Sequence, residues 1–311
     1  MNKQAYQEVC EKIAPYIHRT PVLSSQLINE IVGCEIVFKC DNFQKMGAFK
    51  MRGATNAILN LTAEQQSKGV VTHSSGNFAQ ALTLAAKSLG VPAYIVMPSS
   101  APQVKIDAVK GYGGQVTICP PTLKDREEHA QQIQDELGAT FLHPSNDMDV
   151  IVGQGTAAVE LLEDETHLDA IFTPVGGGGL LGGTALATSI FSAECEVFAG
   201  EPEEADDAYR SFKSGKIESN GTVNTMADGL KTQLGDQNFP IIQEHVKDII
   251  LVSEAEILDA LKLIWTRMKI VVEPSSAVAL AALIKQKHQF ANKKVGIIIS
   301  GGNVDLGNLP F

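Results

Sequence analysis

Short apolar runs alternate with longer helical segments along almost the whole chain, and this alternation is what most constrains its fold. Apolar and β-branched runs predict strands at residues 35–40, 70–74, 93–97, 115–119, 140–143, 170–175, 196–200, 248–252 and 294–299. Helical periodicity predicts helices at residues 1–16, 78–89, 102–112, 123–137, 150–163, 181–191, 255–269 and 274–285. Nearly continuous apolar strands joined by helices are typical of parallel sheets covered on both faces. The sequence therefore predicts an α/β fold with parallel-stranded sheets.

The length of the chain predicts two lobes, because 311 residues exceed the usual size of a single hydrophobic core. Four strand–helix units of similar length follow one another between residues 66 and 147 and can close as a sheet of their own. We therefore expect a small domain at residues 67–147. Residues 1–66 and 148–311 would together form the large domain.

Charge and composition argue against several classes of partner. The formal net charge is −11 and no basic run is present, so we expect no binding to nucleic acid or to an anionic membrane surface. No apolar stretch approaches the ~20 residues of a membrane helix. The five cysteines are scattered without a C-x-x-C pair, and the first residues show no apolar signal segment. These features predict reduced thiols and a cytoplasmic location.

Residues 43–54 place Lys50 after a glycine and between two apolar neighbours, Phe49 and Met51. Desolvation by these neighbours, together with the nearby cation of Arg52, would favour the neutral amine. A neutral amine is what an imine-forming lysine needs. The alternative is an ordinary lysine at the start of an amphipathic helix, and this stretch alone favours that alternative.

Residues 72–80 lead from a predicted strand into a helix through two serines, a glycine and an asparagine. Small polar side chains and free backbone N–H groups at such a place suit a carboxylate or another oxyanion. Helix capping by Ser75 or Asn77 is the alternative, but capping accounts for only one of these residues. The loop therefore predicts a ligand contact.

Four consecutive glycines, residues 176–179, separate an apolar strand from a helix. So many glycines carry an entropic cost, and they leave several backbone N–H groups free to bind one phosphate. Gly177, Gly179 and Gly182 also match the dinucleotide-binding pattern G-x-G-x-x-G. Glu201 follows roughly 20 residues further on, where an acid that binds the ribose would lie. Which phosphate ligand binds stays open at this point.

Ser300 follows the last apolar strand and precedes two glycines and Asn303. A serine at such a strand end can hydrogen-bond a heteroaromatic nitrogen without protonating it. An ordinary turn is the alternative.

Together, residues 43–54, 74–77, 176–179 and 300–303 resemble, in order and approximate spacing, the motifs of the fold-type II pyridoxal-phosphate enzymes. Within that group the chain is most similar to serine racemase and the serine/threonine dehydratases, and the resemblance covers nearly all of it. It implies a two-lobed fold like the tryptophan synthase β subunit, with pyridoxal 5'-phosphate bound covalently to Lys50. Phe49 would lie beside the ring, Asn77 would meet the ring hydroxyl and Ser300 the ring nitrogen. The phosphate would be held by Gly176, Gly177, Gly178, Gly179 and Leu180.

The resemblance implies an ammonia-lyase that converts serine- or threonine-type β-hydroxy amino acids into 2-oxo acids and ammonia. Lys50 would remove the α-proton as a general base. Ser300 would leave the ring nitrogen unprotonated, which favours loss of the β-hydroxyl over transamination. Racemases similar to this chain have a serine at Ser75, opposite the lysine, where many threonine dehydratases have alanine. Serine racemisation is therefore expected as well.

Other functions stay open from the sequence. One is dehydration of threo-3-hydroxyaspartate, and another is β-replacement as in the cysteine synthases, which share the fold. An oxidoreductase built on the dinucleotide fingerprint would leave Lys50 and Ser300 unexplained. A catalytically silent binding protein is disfavoured, because the expected nucleophile and the cofactor contacts are all present.

By the same resemblance, a small amino-acid substrate would be contacted by Ser74, Ser75, Asn77, Phe78 and Arg126. For Arg126, an ordinary charge on a helix surface is the alternative. Positions at which the chain departs from the family pattern near this pocket, and which bear on substrate choice, are Met46, Ala48, Phe78 and Ser145. The resemblance also implies a homodimer.

Residues 201–207 contain five carboxylates. Racemase-like members of the family use positions that match Glu201, the Ala205 carbonyl and Asp207 to bind a divalent ion. Oxygen ligands indicate magnesium, manganese or calcium. An exposed acidic loop without a metal is the alternative.

Overall fold

Two sheets organise the part of the chain that this computed structural model describes, namely residues 1–221, 223–307 and 309. The strands are β1 (Val22–Ser24), β2 (Glu35–Cys40), β3 (Val70–His73), β4 (Ala93–Pro98), β5 (Gln115–Cys119), β6 (Thr140–Phe141), β7 (Ala170–Pro174), β8 (Glu196–Pro202), β9 (Val246–Val252) and β10 (Lys294–Ile299). The helices are α1 (Lys3–Ile13), α2 (Gln26–Val32), α3 (Lys50–Asn60), α4 (Ala63–Lys68), α5 (Asn77–Leu89), α6 (Gln103–Gly111), α7 (Leu123–Leu137), α8 (Met148–Asp164), α9 (Gly179–Phe191), α10 (Asp207–Ser214), α11 (Phe239–His245), α12 (Glu254–Leu263) and α13 (Pro274–Lys285).

The larger sheet has the strand order β1-β2-β10-β7-β8-β9, and the smaller sheet has the order β5-β4-β3-β6. All strand pairs of both sheets are parallel except β1 with β2. Parallel neighbours need a crossover connection, which the intervening helices supply. The predicted α/β fold with parallel sheets is confirmed.

The sequence pattern missed the shortest elements. The edge strand β1 spans three residues. Helices α2, α4, α10 and α11 have eight residues or fewer, so they contain too few turns to display a helical period. The strand predicted at residues 140–143 ends at Phe141. Beyond it the chain turns, and the His143 Nδ1 accepts the backbone N–H groups of Ser145 (3.2 Å) and Asn146 (2.8 Å).

Helices α8 and α9 lie unusually close together because glycines stand where they touch. A Cβ on Gly155 would overlap the carbonyl group of Gly183, and one on Gly183 would overlap the Ile151 carbonyl oxygen. The buried Tyr6 hydroxyl lies over the same contact, 3.0 Å from the Val152 carbonyl oxygen and 3.2 Å from that of Gly183. The first turns of helix α9 are therefore packed directly against α8.

The loops that carry the four sequence motifs follow the carboxyl ends of β2, β3, β7 and β10, where ligands bind in open α/β sheets. All strands of the smaller sheet lie between residues 67 and 147, but its hydrophobic cluster also takes in Ile13, Met51 and Ala54. The boundary between the two domains therefore stays a prediction. Among the described residues, no helix has the length and apolar character needed to cross a bilayer.

Candidate active site

Lys50 is the first residue of α3 and follows a tight turn. Met46 and Gly47 both have positive φ angles, 57° and 80°, in the left-handed region that glycine adopts readily and L side chains rarely do. After the turn, the Phe49 N–H donates to the Ser300 carbonyl oxygen at 2.9 Å. These features hold Lys50 beside the end of β10.

The Lys50 amine lies in an apolar enclosure. Its Nζ donates to the Pro144 carbonyl oxygen at 2.7 Å and lies 4.9 Å and 5.7 Å from the ring centres of Phe49 and Phe78. Desolvation lowers the pKa of Lys50 to about 8, although the nearby Glu273 carboxylate acts to raise it. A larger share of this amine is therefore neutral at physiological pH than for an ordinary lysine. The predicted desolvation is present, but only Phe49 of the two predicted neighbours lies beside the amine: the second ring is that of Phe78, whereas Met51 packs in the hydrophobic cluster of the smaller sheet.

Arg52 has a different role from the predicted one. Its guanidinium is fully buried and donates to Asp41 at 2.7 and 2.8 Å and to Glu160 at 2.7 and 2.9 Å. The buried Lys39 amine lies 2.7 Å from Glu160, so two cations balance two carboxylates. The prediction that Arg52 lowers the pKa of Lys50 is wrong, because desolvation lowers it and the charge of Arg52 is compensated.

Asn77, the first residue of α5, joins the smaller sheet to the larger one. Its Nδ2 donates to both carboxylate oxygens of Glu273, at 3.0 and 3.1 Å, and its Oδ1 accepts from the Asn303 Nδ2 at 2.9 Å. Asn303 also donates to the Met46 carbonyl oxygen at 3.0 Å. The orientation of the Asn77 amide is therefore set by Glu273 and Asn303, and Met46 helps to hold Asn303.

Glu273 is a central residue of the site that the sequence did not reveal. Its side chain is buried and its backbone N–H donates to the Gly301 carbonyl oxygen at 3.0 Å. Burial raises the pKa of Glu273 to about 7, while the hydrogen bonds from Asn77 act to lower it. In the sequence Glu273 only precedes Pro274 at the start of an apolar helix, which is an ordinary N-cap pattern.

The glycine loop at residues 176–179 leaves no space for side chains. Gly178 has a φ angle of 80°. A Cβ there would lie 2.6 Å from the Asn238 Oδ1, and a Cβ on Gly177 would lie 2.5 Å from the Ser145 Oγ. Helix α9 begins at the last glycine, and the first N–H groups of a helix have no partner within the helix. The loop is therefore built to bind an anion.

Asn238 holds the glycine loop in place. Its fully buried Nδ2 donates to the carbonyl oxygens of Ser145 and Gly177, both at 2.9 Å. Leu180 lies buried in the first turn of α9. Asn238 stands in a polar stretch without a motif, so no sequence signal marks it. Ser145, a departure from the family pattern, is buried against Gly177 and Gly179.

Ser300 is buried at the end of β10 and has a second hydroxyl beside it. The Ser276 Oγ lies 2.9 Å from the Ser300 Oγ. Ser276 also contacts the backbone of Gly301, donating to its carbonyl oxygen at 2.7 Å and accepting from its N–H at 2.8 Å. Ser276 stands in no motif, so it could not be recognised as a partner of Ser300 from the sequence.

The serines of the loop after β3 differ in their contacts. The Ser74 N–H donates to the Val96 carbonyl oxygen at 3.2 Å, and its Oγ accepts from the Gly76 N–H at 3.4 Å. The Ser75 hydroxyl is partly buried and makes no hydrogen bond within the described part of the chain. It is therefore available to a ligand, and its role remains a prediction.

Phe78 and Arg126 are placed very differently from each other. Phe78 is 2% exposed and packs in the hydrophobic cluster of the smaller sheet, with its ring toward the Lys50 amine. Arg126 is partly exposed in the first turn of α7, and its Nε is 3.4 Å from the Thr122 carbonyl oxygen. Burial and then the charge of Arg126 lower the pKa of His73, the neighbour of Ser74. Substrate contacts at both positions remain predictions.

Glu201 is fully buried at the end of β8. Its two carboxylate oxygens accept the backbone N–H groups of Ala208 (2.9 Å) and Tyr209 (2.7 Å). Burial and these contacts leave the carboxylate inaccessible to a ribose hydroxyl, which argues against the dinucleotide alternative. The exposed acidic loop also fits poorly, because only Glu203 and Glu204 are exposed.

Asp207 is fully buried as well, and it accepts from the Asn220 Nδ2 at 2.6 Å and the Leu234 N–H at 3.3 Å. Neither Glu201 nor Asp207 forms an ion pair with a lysine or arginine within the described residues. The same residues contain no group of three or more histidines, cysteines or acids that could hold a metal. Two buried carboxylates without an ion pair among the described residues, close in sequence to the buried Ala205, still fit a hard divalent cation.

Comparison with known proteins gives a consistent result. Residues 13–301 match the family described as pyridoxal-phosphate dependent enzyme. The chain is 51% identical over 301 residues to a β-hydroxyaspartate dehydratase from Paracoccus denitrificans, covering 97% of this chain and 96% of that protein. It is 52% identical over 307 residues to a serine racemase from Dictyostelium discoideum, covering 97% and 95%. A crystal structure of serine racemase from Dictyostelium discoideum superposes with a TM-score of 0.95 at 52% identity, covering 98% of this chain and 99% of that chain.

Proposed function

Since the chain belongs to the family of pyridoxal-phosphate-dependent enzymes, we propose that it converts β-hydroxy amino acids into 2-oxo acids and ammonia and also racemises serine. The observation that carries this proposal is the Lys50 amine, whose pKa is lowered to about 8 by desolvation. It lies between two aromatic rings and beside the ends of β3 and β10. An amine in this state can attack a carbonyl and can later accept a proton.

The residues present fit pyridoxal 5'-phosphate, which would be bound covalently by Lys50. The free N–H groups of residues 176–179 and of Leu180 at the start of α9 would hold its phosphate. Asn77 would contact the ring hydroxyl, Ser300 the ring nitrogen and Phe49 the side of the ring. When bound, this cofactor withdraws electrons from the α-carbon of an attached amino acid and so acidifies its α-proton.

The chain's own residues would then complete the reaction. With an amino acid bound, the neutral Lys50 Nζ would accept the α-proton as general base. The β-hydroxyl leaves with a proton as water, and the unsaturated amine that remains adds water and releases ammonia. The net change is one amino acid to one 2-oxo acid and one ammonia.

Ser75 is the residue on which racemisation depends. Its hydroxyl has no hydrogen bond within the described chain, so it can exchange a proton with the face of the substrate opposite Lys50. We expect Ser75→Ala to abolish interconversion of L- and D-serine while leaving elimination from L-serine. Chiral chromatography and a pyruvate assay on the same samples measure both. An unchanged ratio of the two activities would remove Ser75 from this role.

A second candidate substrate is 3-hydroxyaspartate, because the relative from Paracoccus denitrificans at 51% identity is a β-hydroxyaspartate dehydratase. Arg126 and Ser74 are the residues we expect to contact substrate carboxylates. Comparing kcat/KM for serine, threonine and the 3-hydroxyaspartate isomers separates the two substrate classes. Arg126→Gln should then raise KM for the dicarboxylic substrate more than for serine.

One spectrum tests the cofactor assignment. Purified protein should show a visible absorption band that borohydride removes, and peptide mapping should find the reduced cofactor on Lys50. Lys50→Ala should lack the adduct, whereas the control Lys45→Ala should retain it. A colourless wild-type protein that cannot be loaded with pyridoxal phosphate would refute the proposal. Formation of cysteine from serine and sulfide, without pyruvate, would favour β-replacement.

We also propose a divalent cation at Glu201, Ala205 and Asp207, a homodimeric state and a cytoplasmic location. The cation is supported by two buried carboxylates that have no ion pair within the described residues. The homodimer rests on the family resemblance and is tested by light scattering. The location is supported by the five free cysteines, which suit a reducing compartment.

A further inference from the structure

Ser276 and Ser300 form a pair of buried hydroxyls at the place where we assign the ring nitrogen of the cofactor. Ser276 lies in the first turn of α13 and is completely buried, and its Oγ is 2.9 Å from that of Ser300. Ser276 is separated by 24 positions from Ser300. It belongs to none of the motifs described above.

The Ser276 hydroxyl has three close partners but only one proton. The Gly301 N–H donates to it at 2.8 Å, which occupies one lone pair. The proton of Ser276 can go either to the Gly301 carbonyl oxygen, at 2.7 Å, or to the Ser300 Oγ. That carbonyl also accepts the Glu273 N–H at 3.0 Å. It therefore keeps a hydrogen bond when Ser276 turns away.

The direction of the Ser276 proton decides what Ser300 can offer to a ring nitrogen. If Ser276 donates to the Gly301 carbonyl oxygen, Ser300 must direct its own proton at Ser276. Ser300 then presents only lone pairs, which suit a protonated ring nitrogen. If Ser276 donates to Ser300, the Ser300 proton is free to be donated to an unprotonated nitrogen, and the two hydrogen bonds strengthen each other.

We propose that Ser276 is a positioning residue that donates to Ser300 and thereby makes Ser300 a stronger donor to the unprotonated ring nitrogen of the cofactor. This inference rests on the proposed function. It adds a residue that sets the electronic character of the ring without touching it. An unprotonated ring withdraws electrons less strongly than a protonated one, which is the condition under which loss of the β-hydroxyl is favoured.

The test uses the holoenzyme loaded with pyridoxal phosphate that carries 15N in the ring. Ser276→Ala should move the ring 15N resonance toward that of pyridine without a hydrogen bond, in the same direction as Ser300→Ala but by less. Loss of about one hydrogen bond should also weaken cofactor binding by about three- to tenfold. The control is Ser275→Ala, since Ser275 is equally buried in the same helical turn but bonds the Gly229 N–H at 3.0 Å. It should leave the resonance in place.

A cofactor analogue with carbon in place of the ring nitrogen separates this effect from a general loss of packing. Ser276→Ala should weaken binding of pyridoxal phosphate but not binding of the analogue. If Ser276→Ala folds poorly, Ser276→Cys keeps a weak donor in the same place and should give a smaller change in the same direction.

The inference is overturned if Ser276→Ala leaves the resonance unchanged while Ser300→Ala shifts it. A shift of the ring 15N resonance toward that of a protonated ring also overturns it. So does an equal loss of affinity for pyridoxal phosphate and for the analogue with carbon in place of the ring nitrogen. A wild-type protein that forms no covalent bond between the cofactor and Lys50 would instead refute the proposed function itself. The two failures are thus distinguished by the wild-type sample.

Discussion

Replacing Arg52 with methionine should destabilise the protein by about 3–5 kcal/mol, because it leaves an uncompensated charge in the interior. Arg52, Asp41 and Lys39 are fully buried, and Glu160 is nearly so. With Arg52 present, two positive and two negative side chains balance. Methionine has a similar stem but carries no charge, so the substitution leaves the group with one excess negative charge.

The size of the effect follows from which carboxylate loses its partner. Glu160 would keep the Lys39 amine at 2.7 Å. Asp41 would keep only the Thr20 hydroxyl, which donates to it at 2.7 Å, and would have no cation. Removing one partner of a buried ion pair is strongly destabilising, because the remaining ion is desolvated and no longer has an opposite charge beside it.

The matched control is Arg19→Met. Arg19 also contacts two carboxylates, Glu163 at 3.0 Å and Asp164 at 2.6 Å, but its side chain is 53% exposed. Exposed pairs contribute about 0–1 kcal/mol. Urea unfolding followed by far-ultraviolet circular dichroism and by the fluorescence of the single tryptophan, Trp265, compares the two variants. A loss of stability for Arg52→Met no larger than that for Arg19→Met would contradict the expected cost of an unpaired buried charge.

A charge-balanced version of this variant tests what sets the reactivity of Lys50. Because desolvation lowers the pKa of the amine, Arg52→Met combined with Asp41→Asn, which removes one positive and one negative charge together, should leave the pH dependence of cofactor attachment close to that of the wild type. A rise of the midpoint toward the value of an ordinary lysine would show that the cation acts on Lys50 after all. The measurement needs only the fraction that remains folded.

Three further predictions concern the site. Folding raises the pKa of Glu273 from 4.5 to about 7, so the folded protein binds this proton more tightly than the unfolded chain. The stability of the wild type should therefore fall relative to that of Glu273→Gln as pH rises from 4.5 to 7. Above pH 7 the difference in stability between the two proteins should stay constant. Melting curves across this range check it, and parallel pH profiles would contradict it. Chelation should lower Tm and weaken cofactor binding, because Asp207 accepts the backbone N–H of Leu234, whose side chain packs against Gly178. Calorimetry before and after the metal is restored measures both effects, and no change in either would count against the cation. Asn238→Ala should weaken cofactor binding about tenfold, because it removes two buried hydrogen bonds that hold the glycine loop. Titration with the cofactor measures this, and an unchanged binding curve would show that the loop keeps its conformation without Asn238.

The sequence was informative where fold or function needs residues that are neighbours along the chain. Alternating apolar runs predicted the parallel sheets, since each strand and its helix are local units. Lys50 with its apolar neighbours and the run of glycines also stand in continuous motifs. The residue types that this chemistry needs are therefore visible in the sequence, although the enclosure of the amine is completed by Pro144 and Phe78 from elsewhere in the chain.

Other residues were hidden because their partners lie far away in sequence. Glu273 bonds to Asn77 across 196 positions, and Asn238 bonds to Gly177 across 61. Arg52 was misread for the same reason. Its distance of two residues from Lys50 is visible in the sequence, whereas the carboxylates that compensate its charge lie 11 and 108 positions away.

The place of β10 in the larger sheet has a consequence for synthesis of the protein. The smaller sheet is built from one continuous stretch, β3 to β6, so it can form while the rest of the nascent chain is still being made. In the larger sheet, β10 lies between β2 and β7 and pairs with both. β2 and β7 therefore each keep one edge unpaired until residue 299 has left the ribosome. We expect this interval to be the period in which the chain depends most on chaperones.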